Sequence, residues 1–293
     1  MLTTKARMLF NHLFSVQLFI IWGLGTYGSW LIHATEMLTP IFLGLLLWIL
    51  LVFVGYKNQH STCHSRFYWL GLLQLIVCWT IFPLFKSIRY GLYQWSFDDI
   101  LYDLDKFLWF GKSLPEWSIL LQSGWLSEFL SFCYFSFYFL IIGSALFFFF
   151  SRNNALTKNY FFGLMLMYFF GFIGYFTIPA TGPYSAFPSD FNYPVYSGAM
   201  TLFLTDLVDK GITGMDVFPS LHTGITLYIV GFFYLSGYKK TAYCLSPILI
   251  GLILATVYLH YHYGIDVIVG ALLALWVFYI TGKNNKVEYG THL

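Results

Sequence analysis

The chain has 293 residues, of which 58% are hydrophobic and only 10% are charged, and its mean hydropathy is +0.69. Soluble domains carry about 25% charged residues, so this composition excludes a soluble domain and indicates an integral membrane protein. The formal net charge is only +2, which excludes the strongly basic surface that a nucleic-acid partner requires. The four cysteines stand singly, without metal-ligand or disulfide spacing, and we expect free thiols.

Apolar stretches long enough to cross a membrane recur along the chain. A crossing helix needs about 20 apolar residues. The first stretch is too long for a typical signal peptide, so we expect it to be retained. We predict an all-α integral membrane protein with two N-terminal helices (1–66), a six-helix core (67–282) and a cytoplasmic tail (283–293). The eight predicted spans are 13–32, 38–55, 67–85, 126–150, 160–178, 218–235, 242–259 and 265–280.

The distribution of Lys and Arg over alternate loops predicts the orientation. The side with more of them, which we predict to be cytoplasmic, holds Lys5, Arg7, Lys57, Arg66, Arg152, Lys158, Lys239, Lys240, Lys283 and Lys286. The outer side holds Lys86, Arg89, Lys106, Lys112 and Lys210. The chain has no N-x-S/T sequon, which agrees with a bacterial protein, and we expect it in the bacterial cytoplasmic membrane.

Two loops on the predicted outer side, 86–125 and 179–217, are long enough to have a function. In the first, Ser96 and Asp99 resemble a capping box, and the apolar residues that follow share one helical face, which predicts an amphipathic helix in the membrane interface. The second is rich in Pro, Gly, Ser, Tyr and Asp, which is typical of irregular structure that covers a site. The acidic residues of the first loop predict a solvated face, with a cation or polyol site as the alternative; they are Asp98, Asp99, Asp103 and Asp105.

Polar side chains at the ends of apolar spans are costly and need a reason. His222 starts the sixth span after Pro219 and Ser220, at a helix N-terminus whose free N–H groups favour a phosphate. His262 and Asp266 lie between the seventh and eighth spans, four residues apart, a spacing that stacks side chains on one helical face. A carboxylate on one imidazole nitrogen prepares the other as a nucleophile or general base. We expect these residues at a polar interface rather than in a packed core.

Each of these residues alone also has a structural interpretation. An interfacial histidine is often satisfied by water, and a His–Asp pair four residues apart often only stabilises a helix. Their occurrence together on one predicted membrane face favours a site. A zinc site at His260 and His262 is disfavoured because on a helix these side chains point about 200° apart, so we expect no metal and no cofactor.

These residues resemble the motifs of a known superfamily. Segment 219–222 (P-S-L-H) is similar to the P-S-x-H second motif of the type 2 phosphatidic acid phosphatase superfamily, and 262–266 to the H-x-x-x-D end of its third motif. Segments 218–224 and 256–266 are most similar to the branch of inositol phosphorylceramide synthases and their bacterial relatives. The resemblance covers 67–280.

The resemblance implies a phosphohistidine mechanism without a metal. His262 attacks the phosphorus of a lipid phosphate, Asp266 orients His262, and His222 acts as the general acid that protonates the leaving alcohol. Two positions depart from the family pattern. Thr256 stands where the third motif usually has arginine, and Tyr184 follows a Gly-Pro pair where the bacterial relatives often have arginine.

The phosphate charge must then be neutralised by other residues. We predict Lys86 and Arg89, three residues apart at the outer end of the third span, with Lys210 as a third candidate and interfacial snorkelling as the alternative interpretation. Ser220 and Tyr184 complete the predicted phosphate-binding set.

The sequence therefore predicts a membrane-embedded lipid phosphatase or phosphotransferase. Its partners are a membrane lipid phosphate and an acceptor, either water or a polar alcohol such as inositol, with no nucleic acid. Acceptor specificity is expected from 179–216. The alternative is a non-catalytic lipid-binding or transport protein on the same scaffold, suggested by the arginines missing at Thr256 and Tyr184.

Overall fold

The computed structural model describes residues 4–59, 66–151 and 153–288. The regular elements within these ranges are all helices, which confirms the all-α class. Cys78, Cys133 and Cys244 are free thiols, as expected, whereas Cys63 and Arg152 lie outside the described residues. The helices are α1 (Thr4–Leu31), α2 (Leu38–Gln59), α3 (Arg66–Ile81), α4 (Leu84–Leu92), α5 (Asp98–Leu108), α6 (Leu114–Ile119), α7 (Gly124–Phe149), α8 (Asn154–Thr177), α9 (Pro183–Ala186), α10 (Ala199–Gly211), α11 (Leu221–Leu235), α12 (Lys239–Tyr258) and α13 (Gly264–Glu288).

Six of the described helices are long and apolar enough to cross a membrane: α1, α2, α7, α8, α12 and α13. The helices α3 and α4 make a seventh candidate if they are one span, bent by 44°. Pro83 lies at the break, where it interrupts the helical hydrogen bonds. The helix α11 is apolar but has only 15 residues, short of the roughly 20 that a span needs. An integral membrane protein is thus confirmed, and the count of eight spans stays a prediction.

The chain divides into two compact units whose segments alternate along the sequence. The first consists of Met1–Gln94, Ser144–Phe170 and Trp276–Leu293, and in it α1 packs against α2, α3 and α4. The second consists of Trp95–Gly143 and Gly171–Leu275, and in it α11 packs against α12. The domain boundaries expected from the sequence stay a prediction.

The amphipathic helix predicted in the first outer loop is α5, but two of its four acidic residues point inward. Asp98 and Asp105 are buried, with 3% and 0% of their surface exposed, whereas Asp99 and Asp103 are exposed. The prediction of a solvated face is therefore wrong for Asp98 and Asp105. The apolar side chains that α5 exposes are Ile100, Leu104, Phe107 and Leu108, as a helix lying in an interface requires.

The start of α5 also differs from the prediction. Phe97 is its N-cap residue and no side chain caps the helix, so Ser96 does not form a capping box. A capping box forms instead at α6, where the Ser113 hydroxyl accepts from the Glu116 N–H and the Glu116 carboxylate accepts from the Ser113 N–H. The capping box predicted at Ser96 and Asp99 is therefore wrong, and the one that forms lies at the next helix.

The second outer loop is not irregular throughout, because it contains α9 and the 13-residue helix α10. The carboxylate of Glu128, on α7, accepts hydrogen bonds from the N–H groups of Met200 and Thr201 (2.9 and 3.0 Å) and from the Thr201 hydroxyl (2.7 Å). A carboxylate favours a helix N-terminus. The cap is thus supplied by a distant helix, which local composition does not reveal.

Candidate active site

Three of the predicted site residues come together at the start of two helices. His222 lies in the first turn of α11, Asp266 in the first turn of α13, and His262 in the link between α12 and α13. The imidazole rings of His222 and His262 approach edge to face with centroids 5.8 Å apart. His262 Nδ1 lies 3.6 Å from Asp266 Oδ2. Ser220 joins them through its N–H, which donates to the Asp266 carbonyl (3.1 Å).

The end of α12 determines where His262 lies. The carbonyl of Thr256 accepts from the N–H groups of Tyr261 (3.1 Å) and His262 (2.9 Å). His260 takes a φ of +63°, in the left-handed region that ends helices. The Thr256 hydroxyl donates to the Ile253 carbonyl (2.7 Å). Thr256, which stands where arginine was expected, therefore positions the link between α12 and α13 through its backbone carbonyl. Its hydroxyl forms a hydrogen bond within α12.

The pairing of His262 with Asp266 arises differently from the prediction. The two residues do not share a helix, because α12 ends before His262 and α13 begins after it. Asp266 instead caps α13, since its Oδ2 accepts from the Tyr263 N–H (2.9 Å). The 3.6 Å from His262 Nδ1 to this oxygen exceeds a hydrogen bond. Catalytic hydrogen bonds often tighten only in the substrate complex.

The site is buried, which corrects the polar-interface setting expected from the sequence. His262 exposes 3% of its surface, and Asp266 and Ser220 expose 0%. Burial disfavours the imidazolium and lowers the pKa of His262 to about 4, while the Asp216 carboxylate and a hydrogen bond with the Val217 backbone oppose this shift. His262 is therefore neutral near pH 7, the form in which an imidazole has a lone pair for attack.

Ser220 is the N-cap of α11. Its Oγ accepts from the Thr223 N–H (3.4 Å) and donates to the Thr223 hydroxyl (3.3 Å). Gly270 of α13 packs directly on the Ser220 carbonyl, where a Cβ would overlap it. These contacts bring the helix that carries Asp266 against the start of the helix that carries His222. Phosphate binding by Ser220 stays a prediction.

Tyr184 lies beside the link between α12 and α13. Its N–H donates to the His260 carbonyl (3.1 Å), and Gly182 has a φ of +89°, with its α-carbon so close that a Cβ would lie 2.5 Å from the Tyr261 carbonyl. The Tyr184 ring stacks on Tyr193 with centroids 4.1 Å apart. Its buried hydroxyl has no hydrogen-bond partner among the described residues, and burial raises its pKa, so it remains a donor. Its role in phosphate binding stays a prediction.

The sequence analysis missed two aromatic residues of α7 that pack on His222. The ring of Tyr134 stacks on the imidazole with centroids 4.6 Å apart, and its hydroxyl lies 3.4 Å from Nδ1. Phe137 packs on the same ring at 4.4 Å. Because α7 is apolar and aromatic on all sides, nothing in its sequence distinguishes these two positions.

His260 packs outside the His222–His262 pair. Its ring meets Phe191 with centroids 4.8 Å apart, and its Nε2 lies 3.3 Å from the Gln122 Nε2. Burial lowers the pKa of His260 to about 4, so the side chain is neutral near pH 7. Its backbone carbonyl, which bonds Tyr184, is the part that supports the site.

The predicted phosphate-binding cations are distributed over both units. Lys86 and Arg89 lie on α4 in the first unit, where the Arg89 guanidinium donates to the Tyr93 carbonyl (2.7 Å). Lys210 lies in the second unit and forms an exposed ion pair with Asp206 (2.6 Å). A solvated pair of this kind contributes little. Phosphate binding by Lys86 and Arg89 stays a prediction.

Fold and site together define an all-α integral membrane protein with two histidines and a carboxylate gathered where two of its helices start. A family model of the PAP2 superfamily matches residues 99–280, more than half of the chain. The chain belongs to this superfamily, the type 2 phosphatidic acid phosphatases that its motifs resemble. The matched segment contains His222, His262 and Asp266. Members are generally phosphatases, which indicates a phosphatase-type enzyme. Neither a curated protein nor a solved structure matches the chain.

Proposed function

We propose that this protein is a membrane-embedded lipid phosphatase or phosphotransferase that acts through a phosphohistidine at His262. One observation carries the proposal: the rings of His222 and His262 meet edge to face with centroids 5.8 Å apart, and the Asp266 carboxylate lies beside His262. One histidine can then act as nucleophile while the other exchanges protons with the leaving or entering oxygen.

In the first half-reaction, the free imidazole nitrogen of His262 attacks the phosphorus. The phosphorus–nitrogen bond forms as the bond to the lipid oxygen breaks, and His222, which takes up a proton beside the negative charge of the bound phosphate, gives this proton to that oxygen. Asp266 orients the ring of His262 and stabilises its positive charge. In the second half-reaction, His222 takes a proton from water or an alcohol, whose oxygen attacks the phosphohistidine and releases His262.

The phosphate needs hydrogen-bond donors and positive charge. We assign the hydroxyls of Tyr184 and Ser220 to hydrogen bonding, and Lys86 and Arg89 stay the cations predicted from the sequence. The unpartnered hydroxyl of Tyr184 supports its part, whereas Ser220 must give up a bond to Thr223 to bind phosphate. A preorganised hydrogen-bond donor at the developing charge stabilises the transition state by about 3 kcal/mol. Loss of a true phosphate ligand should therefore lower the rate measurably.

The substrate side of the proposal rests on the motif resemblance. We propose a lipid-linked phosphate as donor and water, inositol or another polar alcohol as acceptor. The acceptor contacts are assigned to 179–216, which includes α9 and α10. The charge distribution supports a site on the extracytoplasmic side of a bacterial membrane.

The test uses the full chain, purified in detergent, and a panel of lipids labelled at phosphorus: phosphatidic acid, a polyprenyl phosphate and an inositol phospholipid, each with and without free inositol. Free phosphate released from a lipid phosphate monoester identifies a phosphatase, and labelled inositol phosphate that forms from it only when inositol is present identifies a transferase. Acid-labile label on the protein reports the phosphohistidine, which His262→Ala must abolish. Turnover that persists in His262→Ala would refute the nucleophile.

A non-catalytic lipid-binding or transport protein is the second candidate. The segments of the second unit, 95–143 and 171–275, contain no arginine, and Thr256 and Tyr184 occupy the two positions where relatives have one. Retention of labelled lipid without turnover, equal in the wild type and His262→Ala, would support this candidate.

A further inference from the structure

We propose that Asp98, on the amphipathic helix α5, is a positioning residue that sets the orientation of His262. The assignment rests on the proposed function, because it gives His262 a reaction to perform. The sequence suggested for Asp98 only solvent, a cation or a polyol, and the superfamily match begins one residue after it.

The Asp98 carboxylate is buried and its oxygens are fully engaged. It accepts hydrogen bonds from the N–H (2.9 Å) and the hydroxyl (3.0 Å) of Thr181, from the Gly182 N–H (2.9 Å) and from the Tyr263 hydroxyl (2.9 Å). Such a set stabilises a buried carboxylate. It also leaves little acceptor capacity for a cation or headgroup, which disfavours the interpretation as a ligand site.

Two of these contacts lead directly to His262. Tyr263 follows His262 in the chain, is fully buried, and bonds Asp98 through its hydroxyl and the Asp266 Oδ2 through its N–H. Gly182 packs against the carbonyl of Tyr261, the residue before His262. Asp98 thus holds both chain neighbours of His262: Tyr263 directly, through its hydroxyl, and Tyr261 indirectly, through Gly182.

A second carboxylate of α5 holds the other end of the link. Asp105 is seven residues from Asp98, two helical turns along the same face. It accepts from the Ile265 N–H (2.9 Å), the Leu114 N–H (2.8 Å) and the Trp109 indole (3.2 Å). The N–H of Ile265 belongs to the first turn of α13, which also carries Asp266. The two carboxylates therefore fix α5 to the start of α13 and to the residue after His262.

This arrangement has a kinetic consequence that a general stabilising role lacks. Displacing a reacting group by about 1 Å can cost about 100-fold in rate. Loss of the Tyr263 hydroxyl frees Tyr263 and with it the ring orientation of His262, while the Asp98 contacts to Thr181 and Gly182, ahead of Tyr184, are kept. The turnover number is then expected to fall while KM stays constant.

The experiment compares full-length Asp98→Ala, Asp98→Asn and Tyr263→Phe with the wild type in mixed micelles. Asp99→Asn, an exposed neighbour on the same helix, is the matched control. We measure kcat and KM with dioctanoyl phosphatidic acid, and the affinity for orthovanadate, which takes the trigonal-bipyramidal geometry of a transferring phosphoryl group. The folded fraction is measured for every variant, and all rates are given per folded molecule.

We expect kcat and vanadate affinity to fall about 30- to 100-fold in Asp98→Ala and about 3- to 10-fold in Tyr263→Phe, with KM within twofold in Tyr263→Phe. Asp98→Asn, which keeps one acceptor oxygen, is expected between Asp98→Ala and the wild type. If Asp98→Ala does not fold, Tyr263→Phe decides, because it removes only one hydroxyl.

Rates per folded molecule within twofold of the wild type in Asp98→Ala and Tyr263→Phe would overturn the positioning role and leave the proposed function intact. A wild type that turns over none of the lipids in the panel, does not bind vanadate and behaves like His262→Ala would refute the proposed function and this assignment with it. Activity and vanadate binding of the wild type therefore distinguish a failure of the positioning role from a failure of the proposed function.

Discussion

The hydroxyl of Tyr134 lies 3.4 Å from the Nδ1 of His222, and its ring stacks on the imidazole. When the Nδ1–H of neutral His222 donates to this phenol oxygen, the lone pair on Nε2 is left to accept a proton. The ring of His262 meets the same imidazole edge to face, with centroids 5.8 Å apart. Tyr134 thus selects the tautomer and the ring orientation that proton exchange in the site needs.

Tyr134→Phe is expected to lower kcat about 2- to 10-fold, the range of a lost hydrogen bond of about 0.5–1.5 kcal/mol. The ring stacking remains, so the thermal midpoint of unfolding changes little. Steady-state kinetics in detergent test this, with exposed Tyr243→Phe on α12 as the control. An unchanged kcat in Tyr134→Phe would mean that His222 does not depend on this hydroxyl.

His222→Ala is expected to slow poor leaving groups far more than good ones. An alkoxide needs the proton of a general acid, which contributes about 10²–10⁴-fold, whereas p-nitrophenolate leaves without it. Rates of alkyl and p-nitrophenyl phosphate esters in the wild type and His222→Ala give the comparison. An equal loss for both esters would argue against an acid role for His222.

The pH dependence reports the buried state of His262. Burial lowers its pKa to about 4. We therefore expect kcat/KM to fall only below about pH 4, where His262 is protonated and has no lone pair for attack, and not near the usual histidine value of about 6.5. The Asp216 carboxylate raises this pKa, so Asp216→Asn moves the acid limb to lower pH. Measuring both proteins with one substrate cancels the ionisation of the substrate. A limb unmoved in Asp216→Asn would contradict the electrostatic coupling.

Gly270→Ala is expected to destabilise the protein by about 1–3 kcal/mol, the usual cost of overpacking, because the new methyl group meets the Ser220 carbonyl. Activity should fall with it, since the contact aligns the starts of α11 and α13. Gly143→Ala, also helical but with nothing within 4 Å of its Cβ position, is the matched control and should be neutral or stabilising. Thermal unfolding in detergent measures both. Equal midpoints would show that α13 adapts to the methyl group.

The candidate site was predictable from sequence only where its residues are close in the chain. The motif 219–222 and the spacing of His262 and Asp266 identified the three central side chains, and the superfamily match includes them. Their local geometry was not predictable, because the carbonyl of Thr256 ends α12 before His262. Burial of the pair depends on packing that no local pattern records.

The sequence by itself determined the membrane class, the helical fold and the superfamily, since apolar length, charge content and short motifs are properties of the chain. Tertiary structure decided the inward face of α5, the capping of α10 by Glu128 and the stacking of Tyr134 on His222. These contacts join residues far apart, 88 positions for Tyr134 and His222 and 165 for Asp98 and Tyr263. The physical reason is that a buried carboxylate or hydroxyl is stabilised by whichever donors folding brings to it, and only the folded chain specifies those donors.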